Sequence, residues 1–101
     1  MSVQKIIHSN FDELVLRSEK PVLLDFHAPW CGPCRMMGPV LEEIAAQRPD
    51  VLVGKVNVDE ETALARRFGV MSIPMLAVIR GGEVVSAATG ARPKSAVLAM
   101  L

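Results

Sequence analysis

Pro21-Val22-Leu23-Leu24-Asp25-Phe26-His27-Ala28-Pro29-Trp30-Cys31-Gly32-Pro33-Cys34 joins a dense apolar run to both cysteines of the chain. Val22 to Phe26 is a dense apolar run opened by a proline, the pattern of a strand covered on both faces. It leads into the two cysteines of the chain, with Cys31 ending a strand-to-helix loop and Cys34 in the first helical turn. The helix is expected to run to about Gln47. Pro39 within it should remove a backbone hydrogen bond and kink it, with Gly38 adding local weakness.

Upstream, a short strand over Val3–Ile7 precedes a helix capped by Asn10. Glu13 stands in capping-box position, and Phe11, Leu14 and Val15 form the apolar stripe. Downstream, Val51–Val58 is a β-branched strand, Asp59 caps a short helix that buries Leu64 and Phe68, and Gly69 ends it. Met75–Ile79 and Glu83–Ala88 are strands joined through Arg80-Gly81-Gly82, a tight hairpin signal. Pro93 suits the first turn of a last helix that turns Val97, Leu98 and Leu101 inward. The order βαβαβα followed by ββα predicts an α/β sandwich: a central mixed sheet of about five strands flanked by about four helices.

Residues 1–101 read as one domain, with no repeat, low-complexity tract or linker, and half of them are apolar. Mean hydropathy is +0.32, yet no apolar run approaches the ~18 residues of a membrane span. Met1-Ser2-Val3-Gln4-Lys5 lacks the cationic and apolar segments of a signal peptide. Eleven basic residues balance eleven acidic ones, which argues against nucleic acid or a membrane surface as partner. Two cysteines three positions apart cannot cross-link distant parts of a fold. The expected compartment is the reducing cytoplasm.

The chemistry follows from the spacing. Helix neighbours at i and i+3 have Cβ atoms about 5–6 Å apart, wider than a disulfide's ~3.5–4.5 Å. A first cysteine at the cap can swing in and close the ring, so a reversible bond is expected. Unpaired N–H groups and the positive end of the helix favour a thiolate by up to about 2 kcal/mol. That is enough to raise the ionised share at neutral pH from a few per cent to about half. Cys31 is the natural nucleophile and Cys34 the resolving thiol. Gly32 keeps bulk from the attacking sulfur, and Pro33 occupies a position whose N–H would be unpaired anyway. The expected cycle is attack by Cys31 on a substrate disulfide, then intramolecular displacement by Cys34. Trp30, a large amphipathic ring just before the nucleophile, suits a docking surface better than the core.

Asp25-Phe26-His27-Ala28-Pro29-Trp30-Cys31-Gly32-Pro33-Cys34 resembles the active-site segment of the thioredoxin family. Lys55-Val56-Asn57-Val58-Asp59, Phe68-Gly69-Val70, Ser72-Ile73-Pro74 and Gly81-Gly82-Glu83-Val84 match it in order and spacing. The resemblance covers nearly the whole chain. It implies the thioredoxin fold and a protein-disulfide reductase that maintains cell redox homeostasis. It also implies protein disulfides as substrates, an NADPH-dependent flavoprotein reductase as electron source, no cofactor of its own and a monomer.

Asp25 reads as a partly exposed strand acid, as a fold-specific ion pair, or as a buried carboxyl whose desolvation raises its pKa and lets it exchange a proton with Cys34, directly or through water. The resemblance favours the buried carboxyl. Lys55 either pairs with Asp25 or is a plain surface lysine. The resemblance implies that Ile73-Pro74 is cis, faces the dithiol and offers the Ile73 backbone to an extended peptide. Gly90 is a backbone-geometry residue that could line the same groove. Met36, Met37, Met71 and Met75 are core filler, with one or two lending the docking face an adaptable apolar texture.

Zinc is the bland alternative for the cysteines, but only His8 and His27 could complete a site. An oxidant or isomerase of the same fold, and a binding module with an incidental dithiol, are the rival functions; Gly32-Pro33 is closer to the reducing members. Two positions depart from the family: His27 stands where an aromatic is common, and Met75 where threonine is usual. His27 titrates near neutrality in the reference state and can alter the pH dependence, or it packs as a neutral, hydrogen-bonded ring.

Overall fold

The apolar run opened by Pro21 forms the central strand of the molecule. In a computed structural model, which describes residues 2–101, β2 (Val22–His27) is flanked by β3 (Leu52–Asn57) and β4 (Met75–Arg80). Met1, part of the amino-end stretch read above, lies outside the described residues. Strand β1 (Gln4–Lys5) and β5 (Glu83–Thr89) complete a five-stranded sheet in the order β1-β3-β2-β4-β5. The β1–β3 and β3–β2 pairs are parallel, whereas β2–β4 and β4–β5 are antiparallel. This is the mixed sheet expected from alternation followed by a hairpin.

Alternation along β2 divides the core. Val22, Leu24 and Phe26 join Ile6, Phe11, Val15 and Leu64 beneath α1 (His8–Phe11, continued by a π-helical turn over Asp12–Leu16) and α3 (Thr62–Arg67). Leu23 faces the other way, into Met37, Leu41, Ile44 and Val97 of α2 (Gly32–Gln47) and α4 (Lys94–Leu98). Five of the six β2 residues are buried, which explains the unbroken apolar run. Asp25 shares the α2 side of the sheet with Leu23, because residues two apart on a strand point the same way.

Several local expectations are corrected. Asn10 is not an N-cap: the helix starts at His8, and Asn10 Oδ1 accepts the Ile7 N–H at 2.8 Å from inside the first turn. Asp59 does not cap α3, whose N-cap is Glu61. Instead Asn57 Oδ1 accepts the N–H of Asp59 at 2.9 Å and of Glu60 at 3.3 Å, folding the turn itself. Pro93 occupies the N-cap of α4, one position before its first turn. Strand β1 is only two residues long. Helix α2, by contrast, runs to Gln47 with Pro39 inside it, as expected.

The hairpin forms as expected. Gly81 and Gly82 have φ of +57° and +82°, a conformation side-chain-bearing residues rarely adopt, and Arg80 pairs with Glu83 across them. Gly54 is needed for a different reason. A Cβ there would lie 2.6 Å from Ile6 Cγ1 and 3.1 Å from Leu24 Cδ2. Gly54→Val is therefore expected to cost about 1–3 kcal/mol by overpacking, read as a lower urea midpoint with an unchanged slope.

Candidate active site

Cys31 is the N-cap of α2, in extended backbone conformation, and its Sγ accepts the Cys34 N–H at 3.2 Å. A side chain serves here as the acceptor that Ser or Asp commonly provides at a helix start. Cys31 and Cys34 form a disulfide with their Cα atoms 5.2 Å apart. Both residues are only 5% exposed, so exposure does not tell them apart. Position does: Cys31 lines the adjoining surface groove, and Cys34 is not among the groove's lining residues.

That groove has a volume of about 530 Å³ and is bordered by Trp30, Cys31, Gly32 and Pro33 and by Val70, Met71, Ser72 and Ile73. Val58 and Ala65 complete it, and none of its lining residues carries a charge. Trp30 is 68% exposed, with its Nε1–H donated to Asp59 Oδ2 at 2.8 Å. Met71, another lining residue, is 96% exposed. The Arg35 guanidinium donates to the Pro29 carbonyl at 3.1 Å, tying the loop before the cysteines to the first turn of α2.

The Ile73–Pro74 peptide bond is cis, and the Ile73 carbonyl oxygen lies 3.9 Å from Cys31 Sγ. Ile73 precedes β4, and among the described residues its N–H and C=O take no part in a backbone hydrogen bond. Gly90 does not line the groove; its N–H donates to the Pro74 carbonyl at 2.8 Å, bracing the loop from behind.

Asp25 is 4% exposed, and its Oδ1 is buried without a hydrogen-bond partner. Burial pushes its pKa up to about 7, opposed by the positive charge of Lys55. Lys55 is its register partner on β3, yet it is exposed and forms no salt bridge with Asp25. Its influence is through space. Among the described residues no group of three or more His, Cys, Asp or Glu gathers to hold a metal ion.

Cys31, Trp30, Gly32, Pro33 and Ile73 thus meet at one groove, with Cys34 bonded to Cys31, while Asp25 lies on the α2 side of the sheet and Pro74 and Gly90 support the loop. The Trp30–Asp59 bond and the walls made by Val58, Ala65 and Val70 were not legible in the sequence, since they join segments far apart in the chain. No local pattern marks them.

Two consequences can be measured. Because the folded Asp25 binds its proton more tightly than the unfolded one, its contribution to stability is full below pH ~4. It falls as pH rises to about 7, by about 4 kcal/mol in all. Asp25→Asn should remove that slope and leave the disulfide form more stable than wild type at pH 8, by urea denaturation. Trp30 is the single tryptophan, so its fluorescence reports this site alone. Asp59→Ala should change that emission and raise KM for a peptide disulfide severalfold with little change in kcat.

Comparison with known proteins places the chain. The thioredoxin family model matches residues 2–101. The thioredoxin of Streptomyces clavuligerus is 48% identical over 96 residues, covering 95% of this chain and 90% of that protein. The thioredoxin of Haemophilus influenzae is 45% identical over 97 residues, covering 92% and 91%. Thioredoxin 1 of a Nostoc species is 48% identical over 92 residues, covering 90% and 86%.

Proposed function

The chain belongs to the thioredoxin family, and from that premise we propose how its residues carry out protein-disulfide reduction. The reaction is dithiol–disulfide exchange through a mixed disulfide. One observation carries the assignment of roles: Cys31 caps α2 at the edge of an uncharged groove, holding the Cys34 N–H on its sulfur. In the reduced protein that N–H and the helix terminus stabilise a Cys31 thiolate.

An extended substrate segment settles between Trp30 and Met71, and its main chain pairs with the free N–H and C=O of Ile73 in strand fashion. The Cys31 thiolate attacks one sulfur of the substrate disulfide, and the other sulfur leaves. Cys34 then attacks Cys31 Sγ, giving its proton to the Asp25 carboxylate, and the second substrate thiolate departs. Two electrons have moved from the dithiol to the substrate. A carboxyl that titrates near neutrality suits this exchange, because it can both take and return a proton at working pH. Gly32 and Pro33 leave the approach to Cys31 open, and Lys55 tunes Asp25 by its charge.

Substrates are protein disulfides, and a reductase partner restores the dithiol. We read that partner as an NADPH-dependent flavoprotein and residues 1–101 as one domain acting as a monomer in the cytoplasm. Among the described residues no helix is long and apolar enough to cross a membrane.

Cys31→Ser should reduce dithiothreitol-driven insulin reduction to background. Cys34→Ser should accumulate mixed disulfides with substrates, visible by mass spectrometry and released by reductant. Trapping by Cys31→Ser in place of Cys34→Ser would reverse the assigned roles.

A further inference from the structure

A second concavity, sharing no lining residue with the groove, lies on the α2 side of the sheet. Its volume is about 200 Å³, and it is lined by Lys5, His27, Lys55, Asn57 and Glu60. Strand register explains why these residues meet. Lys5 pairs with Lys55 and Lys55 with Asp25, so the three form one row across β1, β3 and β2. Asn57 pairs with His27 in the same direction, two residues further along. Asp25 does not line the cleft, but it lies on the same face, directly across from Lys55 and two residues before His27. His27 stands between that carboxyl and the open end of the strands.

Asp25 poses a transport problem. A carboxyl that takes a proton from Cys34 must release it before the next cycle, yet it is 4% exposed and Oδ1 has no partner. Neither lysine offers a route, because a protonated ammonium cannot accept. Lys5 is also engaged by Glu60 at 3.4 Å. A neutral imidazole can accept on one nitrogen and donate from the other. Same-face residues on a strand lie about 7 Å apart, a span one water can bridge between two side chains.

We propose that His27 relays the proton between the buried Asp25 carboxyl and solvent through this polar cleft. The step rests on the reading of Asp25 as proton acceptor for Cys34. Asp25 carboxyl gives its proton through a water to one imidazole nitrogen, and the other nitrogen gives one up to solvent. Bonds and charge balance without any further reactant. The charged groups facing His27 are Lys55 from β3, Lys5 from β1, Glu60 from the turn after β3, and Asp25 on its own strand. Burial first, then Lys55, lowers the pKa of His27 while Glu60 opposes them, so the ring is neutral at pH 7 and ready to accept.

The test is single-turnover oxidation of the reduced protein by a disulfide peptide at saturation, followed by Trp30 fluorescence between pH 5.5 and 9. His27→Gln should slow the turnover on the order of tenfold near pH 7 and alter its pH profile, with unchanged peptide affinity. Added imidazole should restore the rate of His27→Ala. In an Asp25→Asn background, His27→Gln should cost nothing more. Superimposable wild-type and His27→Gln profiles would overturn the relay. So would a loss that imidazole does not restore, or one that persists at full size with Asp25→Asn. The underlying reading fails separately: if Asp25→Asn alone turns over at the wild-type rate, Asp25 is not the acceptor.

Discussion

The packing of Leu23 on β2 against Met37, Leu41 and Ile44 of α2 is the contact on which the active site depends. It holds a sixteen-residue helix across the central strand, with its N-terminus at the end where the strand stops. The helix start is therefore buried on its inner side and open on its outer side. Cys31 can cap it and still reach a groove, while Asp25, two residues beyond Leu23, is enclosed beneath. Burying those apolar side chains contributes roughly 1.5–3 kcal/mol apiece. The cost of a desolvated carboxyl is borne by that core.

Electrostatics then separate two regions that lie close together. The groove has no charged lining residue, so recognition there falls to main-chain pairing, indole, thioether and small apolar groups. Asp59 and Arg35 hold the indole and the loop before the cysteines, while Lys5, Lys55, Glu60 and the titratable His27 and Asp25 share the sheet's α2 side. In the proposed mechanism varied peptide segments dock there without charge selection, while proton movements are tuned on the α2 side of the sheet. Low dielectric around Asp25 makes the through-space effect of Lys55 larger than an exposed lysine would exert on a surface acid.

Strong local patterns were legible. Both long helical and strand signals around the cysteines survive in the structure, as does the Gly81-Gly82 turn, because each is specified by residues adjacent in sequence. Caps are less legible in a sequence. Asn10 and Asp59 both sit where an N-cap is plausible, but Asn10 binds backwards to Ile7 from within the first turn. Asp59 is taken by the indole of Trp30, twenty-nine residues away. A polar side chain can satisfy a backbone group on either side of it, and only the assembled chain decides which is in reach. Pro74 and Gly90 show the same limit: their mutual hydrogen bond supports the site without lining the groove.

By itself the sequence determined the order of elements, the central buried strand, the paired thiols at a helix start and the membership of the family those motifs indicate. These are local matters: side-chain period, backbone freedom and covalent spacing. Assembly of the chain, in turn, leaves Asp25 buried with its Oδ1 unpaired, and brings His27 and two lysines into one cleft. Desolvation and charge coupling are set by what surrounds a group. Here the surroundings come from strands whose order in the sheet, β1-β3-β2-β4-β5, differs from their order in the chain.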